Sequence, residues 1–211
     1  MAGVTRRARS EADKELRRAA ILDAARDVFD AVEFDEFTMD AVATSLGLAK
    51  GTLYRYVPTR EALLLALLTD EYTGWFDAVD LCMRDAPADS VAPLLVDELL
   101  ERPRLMRLMS MMSSVLERNV PFDTAREFKV FLLARSTSVA ALLAERLGCT
   151  PVRATQLLVH LHALSVGLYH HTHPAPVVCE VLADPALAVT RIDLRTELLH
   201  GIAALVAATR A

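Results

Sequence analysis

The chain has 211 residues, of which 53% are hydrophobic and only 6% aromatic, with 7 Gly and 9 Pro. That length and that Leu- and Ala-rich composition favour a helical protein with a sizeable core over a β-sandwich, and no apolar run approaches the roughly 18 residues of a membrane span. The net charge of −5 would argue against a polyanionic partner, but it is unevenly spread. Residues 1–60 hold 10 Lys+Arg and 10 Asp+Glu, and the remainder carries the whole excess of acid. A neutral N-terminal part whose basic residues sit at its two ends is compatible with a nucleic acid bound there.

The polar stretch 1–16, with Arg6, Arg7 and Arg9, is expected to be a flexible basic arm, either solvated or reaching DNA phosphates. Ser10 and Asp13 resemble a capping box at which a first helix could begin. From residue 17 to 29, Ile21, Leu22, Ala25, Val28 and Phe29 follow a 3.6-residue period. Residues 31–37 break that period. Thr38 is then a good N-cap for a short helix with Asp40 in its first turn, and Gly47 ends it. KGTLYRYV resumes a helical pattern at Lys50, Pro58 closes it, and Thr59 caps a long apolar helix.

Further amphipathic segments lie at about 90–101, 103–118, 122–147, 151–172 and 193–209, joined by short Pro- or Gly-bearing connections. The stretch 174–192 is the longest irregular piece, with room for one helical turn. Nothing alternates with period two, so an all-α chain of about nine helices is expected. The three cysteines (Cys82, Cys149, Cys179) are far apart and match no metal-ligand spacing, which suits reduced thiols in a cytoplasmic protein.

Residues 37–64 carry the functional signal. Two short helices joined by a tight Gly-containing turn form a helix-turn-helix, which delivers its second helix to the major groove. Thr38 and Thr59 stand at helix N-termini, where hydroxyls and free backbone N–H groups bind phosphate. Lys50, Arg55 and Arg60 bring positive charge. Tyr54 and Tyr56 offer hydroxyls and flat faces, Gly51 permits close approach, and Thr52 can bond a base or touch a thymine methyl. The plainer reading of these features is two packed helices with a solvated basic face.

The run Ala43, Leu46-Gly47-Leu48, Lys50-Gly51-Thr52-Leu53-Tyr54-Arg55-Tyr56 and Thr59-Arg60-Glu61-Ala62-Leu63-Leu64 resembles the DNA-binding domain of the TetR family. The preceding helix, with Ile21, Ala24, Ala25 and Phe29, resembles it too. The resemblance implies a three-helix DNA-binding domain at 17–60 and a helical ligand-binding and dimerisation domain at 61–211. It implies a regulator, expected to be a repressor, that binds palindromic double-stranded operator DNA as a homodimer and is released by a small, apolar or amphipathic molecule. Thr38, Lys50, Gly51, Thr52, Tyr54, Arg55, Tyr56, Thr59 and Arg60 occupy its DNA-facing positions, with Tyr54 and Arg60 as phosphate anchors. Three residues depart from the family pattern. Glu33 stands where Gly is usual, Ala49 replaces a common Ser before the recognition helix, and Val57 replaces an aromatic.

By the same resemblance the helices at 151–172 and 193–209 would pair across a two-fold axis. Leu157, Leu161, Leu164 and Leu168 on the first, and Leu194, Leu198, Ile202 and Leu205 on the second, form apolar stripes; internal core is the alternative. For the ligand pocket the expected lining is Trp75, Met106, Met109, Met112, Phe131, His162 and Tyr169, with Phe76 and Phe128 as further aromatic candidates. Leu105 and Leu116 share the stripe of methionines, and such a stripe serves equally as adaptable core. Glu117, Arg118 and Asn119 form a polar group at a helix end. His160, His162, His170, His171 and His173 crowd one helix, yet without acidic or Cys partners they suggest no metal site, and no cofactor is expected. No catalytic triad, Gly-rich phosphate loop or diagnostic carboxylate pair is present. An enzyme using the helical pocket, or a partner-binding module, is therefore the alternative function.

Overall fold

The computed structural model describes residues 2–112 and 118–210, with side chains described from Asp13 onward. Among the described residues there are ten α-helices and no strand. They are α1 (Ala2–Ala31), α2 (Met39–Ser45), α3 (Lys50–Leu53), α4 (Arg60–Met83), α5 (Val91–Leu100), α6 (Pro103–Met111), α7 (Phe122–Leu147), α8 (Pro151–Thr172), α9 (Pro176–Leu182) and α10 (Leu194–Arg210). None is long and apolar enough to cross a membrane. The three cysteines are free thiols.

Two expectations about the chain's ends and joints change. Residues 2–16, expected as an arm, are the first turns of α1, so Ser10 and Asp13 lie inside a helix and do not start one. Within 174–192, α9 and a 3₁₀ stretch (Pro185–Thr190) make two short helical pieces, which accounts for the tenth helix. Both begin on a proline, whose fixed φ suits the first helical position. Leu116 and Glu117 lie outside the described residues.

The chain divides into two compact units, Met1–Leu68 with Ser113–Ala125, and Thr69–Met112 with Arg126–Ala211. Helix α4 belongs to both, residues 60–68 to the first and 69–83 to the second. In the first unit, Ile21, Ala25 and Phe29 of α1 are buried with Phe37, Val42, Leu53, Leu63 and Leu64. Phe29 and Phe37 meet edge to face at 5.8 Å, a preferred aromatic geometry.

Glu33 shows how the chain manages without the glycine. Its backbone is extended (φ −70°, ψ 161°), and its carbonyl accepts from the Glu36 and Phe37 N–H groups at 3.0 and 3.2 Å. A 3₁₀ turn (Phe34–Glu36) thus replaces a left-handed residue, at no steric cost to a side chain.

In the second unit α10 packs on α8 and α5, and α6 on α8 and α5. Leu95, Val96, Leu99, Leu105, Leu108, Val139, Leu143, Leu157, Leu198 and Ile202 form its core. Here the expected dimer stripes are corrected. Leu157, Leu161, Leu198 and Ile202 are buried within the chain itself and offer no surface to a partner. Leu164, Leu168, Leu194 and Leu205 are half-buried. Besides Val152, Val159 and polar residues such as His160 and His200, α8 and α10 expose a set of small residues, Ala163, Gly167, Ala203, Ala204 and Ala207.

Candidate nucleic-acid interface and ligand cavity

The helix-turn-helix is held by local bonds that its residue types dictate. Thr38, extended at φ −127°, caps α2 by accepting the Ala41 N–H at 3.1 Å, which leaves its own O–H free to donate outward. At the other end Gly47 takes φ +63°, the Gly47 N–H reaches the Thr44 carbonyl at 3.0 Å, and the Leu48 N–H reaches the Ala43 carbonyl at 2.9 Å. That pair of bonds is the Schellman arrangement, and it turns the chain sharply into α3. Ala49 opens α3 with an extended backbone and no side-chain cap.

Helix α3 is pinned by one fully buried residue, Leu53, and the DNA-facing residues expected on and just after α3 surround it in sequence. Lys50, Gly51 and Arg55 are exposed, Tyr54 is 44% exposed, and Thr52 and Tyr56 are half-buried. A Cβ at Gly51 would meet nothing within 4 Å. The fold therefore does not require glycine there. The Lys50 ammonium lies 3.9 Å from Asp40 Oδ1, both groups being exposed, so water screens the pair.

Thr59 caps α4 by accepting the Ala62 N–H at 3.0 Å and donates to the Asn119 carbonyl at 3.4 Å. Arg60 lies over the Phe34 ring, 4.5 Å from its centroid, and Nη2 is 3.1 Å from Glu61 Oε1. Phe34, Asn119 and the Asp40–Lys50 pairing were invisible in the sequence because each is a contact between separate elements.

The second unit contains a cavity of about 310 Å³ between α4, α5, α6, α7 and α8. Four of the seven residues expected to line a pocket do so: Trp75, Met109, Met112 and His162. The other three lie elsewhere. Met106 is buried beside Leu105 in the core, Phe131 sets its edge against Phe76 at 6.4 Å, and Tyr169 stacks on His173 at 4.0 Å. Leu161, expected at a dimer interface, is also a wall residue of this cavity.

Tyr72 and Phe76, one turn apart on α4 and stacked at 5.8 Å, complete the aromatic wall, and the Tyr72 hydroxyl is 3.3 Å from His162 Nδ1. Phe128 packs on Tyr72 from behind at 6.4 Å. Among the described residues no cluster of three or more His, Cys, Asp or Glu is placed to hold a metal. His170 and His173 fall at the end of α8, where His173 Nδ1–H donates to the Tyr169 carbonyl at 3.0 Å.

This arrangement agrees with what the chain is similar to. Residues 21–67 match the family described as bacterial regulatory proteins, tetR family, and residues 69–210 match the tetracyclin repressor-like C-terminal domain. The chain belongs to the TetR family of transcriptional regulators.

The HTH-type transcriptional regulator Rv1816 of Mycobacterium tuberculosis is 42% identical over 53 residues, 25% of this chain and 23% of that protein. EthR of Mycolicibacterium smegmatis is 33% identical over 73 residues, 35% of this chain and 34% of its own. The chain thus spans only about a quarter to a third of the curated relatives it matches. Similarity of fold extends much further. A possible TetR family transcriptional regulator from Streptomyces coelicolor A3(2) superposes with a TM-score of 0.61 at 20% identity, over 92% of this chain and 98% of that one. The fatty acid degradation regulator FadR from Bacillus halodurans gives 0.59 at 15% identity, over 90% and 94%.

Proposed function

We propose that this chain is a cytoplasmic repressor that binds palindromic operator DNA as a homodimer and lets go when a small molecule fills the cavity of its second unit. One observation carries the reading: α3 turns Lys50, Gly51, Tyr54 and Arg55 outward around the buried Leu53, between two threonine-capped helix N-termini. That is the chemistry of a major-groove helix flanked by phosphate clamps. Tyr54, Thr38 and Thr59 contact phosphates in this reading, and Lys50 to Thr52 approach base edges.

Two recognition helices must stand about 34–36 Å apart to read successive major grooves, which a two-fold dimer provides. The small residues exposed on α8 and α10 let two copies approach closely and form a four-helix bundle, with Leu164, Leu168, Leu194 and Leu205 sealing its edges. The ligand acts through α4, whose Tyr72, Trp75 and Phe76 line the cavity and whose first turn carries the Thr59 cap. To shift the equilibrium it must bind the DNA-incompetent arrangement more tightly than the other.

The test is DNA binding at several salt concentrations. The wild-type dimer should prefer a palindrome over random duplex, and each phosphate contact removed should lower the salt slope by about one. Unchanged binding by the double variant Lys50→Ala, Tyr54→Ala would overturn the reading.

A further inference from the structure

The wall chemistry of the cavity in the second unit limits what can fill it. None of the residues lining it is Asp, Glu, Lys or Arg. A free carboxylate or ammonium entering it would lose water and find no fixed countercharge, a heavy desolvation penalty. The cation Arg135 does come near the aromatic wall, 5.5 Å from the Phe76 ring, but Asp77 holds its Nη2 at 2.5 Å.

Polar groups are nonetheless present, and burial ranks them. Tyr72 is 7% exposed, and its hydroxyl with His162 Nδ1 makes a donor–acceptor pair in the cavity wall. Trp75, 4% exposed, has an indole N–H with no hydrogen-bond partner among the described residues. The most exposed apolar wall residues, Leu133 and Val159, are 69% and 61% exposed and form a rim of the cavity. Met109 and Met112 supply an unbranched, adaptable side.

We infer that this cavity selects neutral amphiphiles and discriminates against carboxylates of the same skeleton. The uncharged hydroxyl or carbonyl head of the ligand is received by Tyr72 and His162, and its apolar tail runs toward Leu133 and Val159. At liquid-like packing the cavity accommodates roughly ten to fifteen non-hydrogen atoms. The inference rests on the reading of the cavity as the effector site, and the experiment separates the two.

Trp75 is the chain's one tryptophan, so its fluorescence reports occupancy of the wall directly. The full-length protein is titrated at pH 8 with 1-decanol and, separately, with decanoate. Decanol should perturb Trp75 emission at least tenfold more tightly than decanoate. Tyr72→Phe should weaken decanol by about two- to tenfold, the range for one neutral hydrogen bond. Ser136→Arg, which places a cation in the half-buried wall, should raise decanoate affinity above decanol. Decanoate binding as tightly as decanol in the wild type would overturn the selectivity while leaving the effector site standing. Failure of both probes to move Trp75 emission, confirmed by calorimetry, would overturn the effector site and the selectivity together.

Discussion

The guanidinium of Arg60 stacks on the Phe34 ring at 4.5 Å while Nη2 pairs with Glu61 at 3.1 Å. A residue expected to anchor phosphate is thus already engaged, by a ring from the turn after α1 and by its own sequence neighbour. The pairing orients Arg60 and also ties the 3₁₀ turn to the start of α4. Arg60→Ala should therefore lower DNA affinity and cost about 1 kcal/mol of stability, the sum of a partly exposed cation–π contact and a screened ion pair. Phe34→Leu keeps the apolar volume and removes the ring quadrupole. In urea titrations it should reproduce the cation–π share of the stability loss, with a much smaller effect on DNA binding.

At Gly47 the constraint is backbone conformation, since φ is +63° and a Cβ would meet nothing within 4 Å. Gly47→Ala should destabilise by about 1–2 kcal/mol, the steric penalty of the left-handed region. Gly47→Asn should cost less, because Asn tolerates that region better. Equal losses for the two variants, measured by urea unfolding, would show that packing and not φ governs the site.

Ala49 is the complementary case. It is extended at φ −68°, ψ 139°, the conformation of an N-cap, but has no oxygen to cap with. Ala49→Ser should stabilise by about 0.5–1 kcal/mol and tighten DNA binding, since the new hydroxyl can cap α3 and donate to a phosphate at its start. A variant with unchanged melting and weaker DNA binding would refute this.

These positions explain why the first unit was legible in the sequence. Thr38, Gly47, Pro58 and Thr59 act on bonds three to five residues away, so their meaning is written locally. The second unit was not legible in the same way. The stripe of Leu157, Leu161, Leu198 and Ile202 was visible, but hydrophobic period tells only that a face is covered, not whether by a second copy or by the chain itself. The burial of all four resolves that in favour of the chain's own core. Met109 and Met112 line the cavity while Met106 does not, because a helix turns about 100° per residue and Met106, three residues before Met109, is buried in the core instead. Tyr169 sits two turns beyond His162 on α8, where it stacks on His173 and closes the helix end.

Helices α8 and α10 pack closely at Gly201, where an added Cβ would lie 2.4 Å from Leu164 Cδ2. The clash is with the end of a half-buried side chain, which can swing outward. Replacing a mid-helix glycine by alanine gains about 0.5–1 kcal/mol of helix propensity, which offsets much of the repacking. Gly201→Ala should therefore change protomer stability by less than about 1 kcal/mol. The displaced Leu164 would instead protrude on the face proposed for dimerisation. Sedimentation should show a weaker dimer. A dimer of unchanged strength would place the interface elsewhere.

The start of α10 carries a pH dependence whose sign can be stated. Asp193 Oδ1 accepts the Thr196 hydroxyl at 2.6 Å and the Thr196 N–H at 2.8 Å, and these bonds hold its pKa below the ordinary value of 3.8. Both bonds favour the charged form in the folded state. A depressed folded pKa contributes stability that is fully present above the unfolded value and is lost as pH falls through the folded one. The cap therefore supports α10 at neutral pH and fails only in acid, below about pH 4. Asp193→Asn keeps a capping oxygen without the charge. Its unfolding free energy should fall less steeply than wild type between pH 5 and pH 3 as read in parallel urea titrations, with the pH limits being approximate ends of the carboxylate range. Parallel curves for the two proteins across that range would show that the bond to Thr196 does not form in solution.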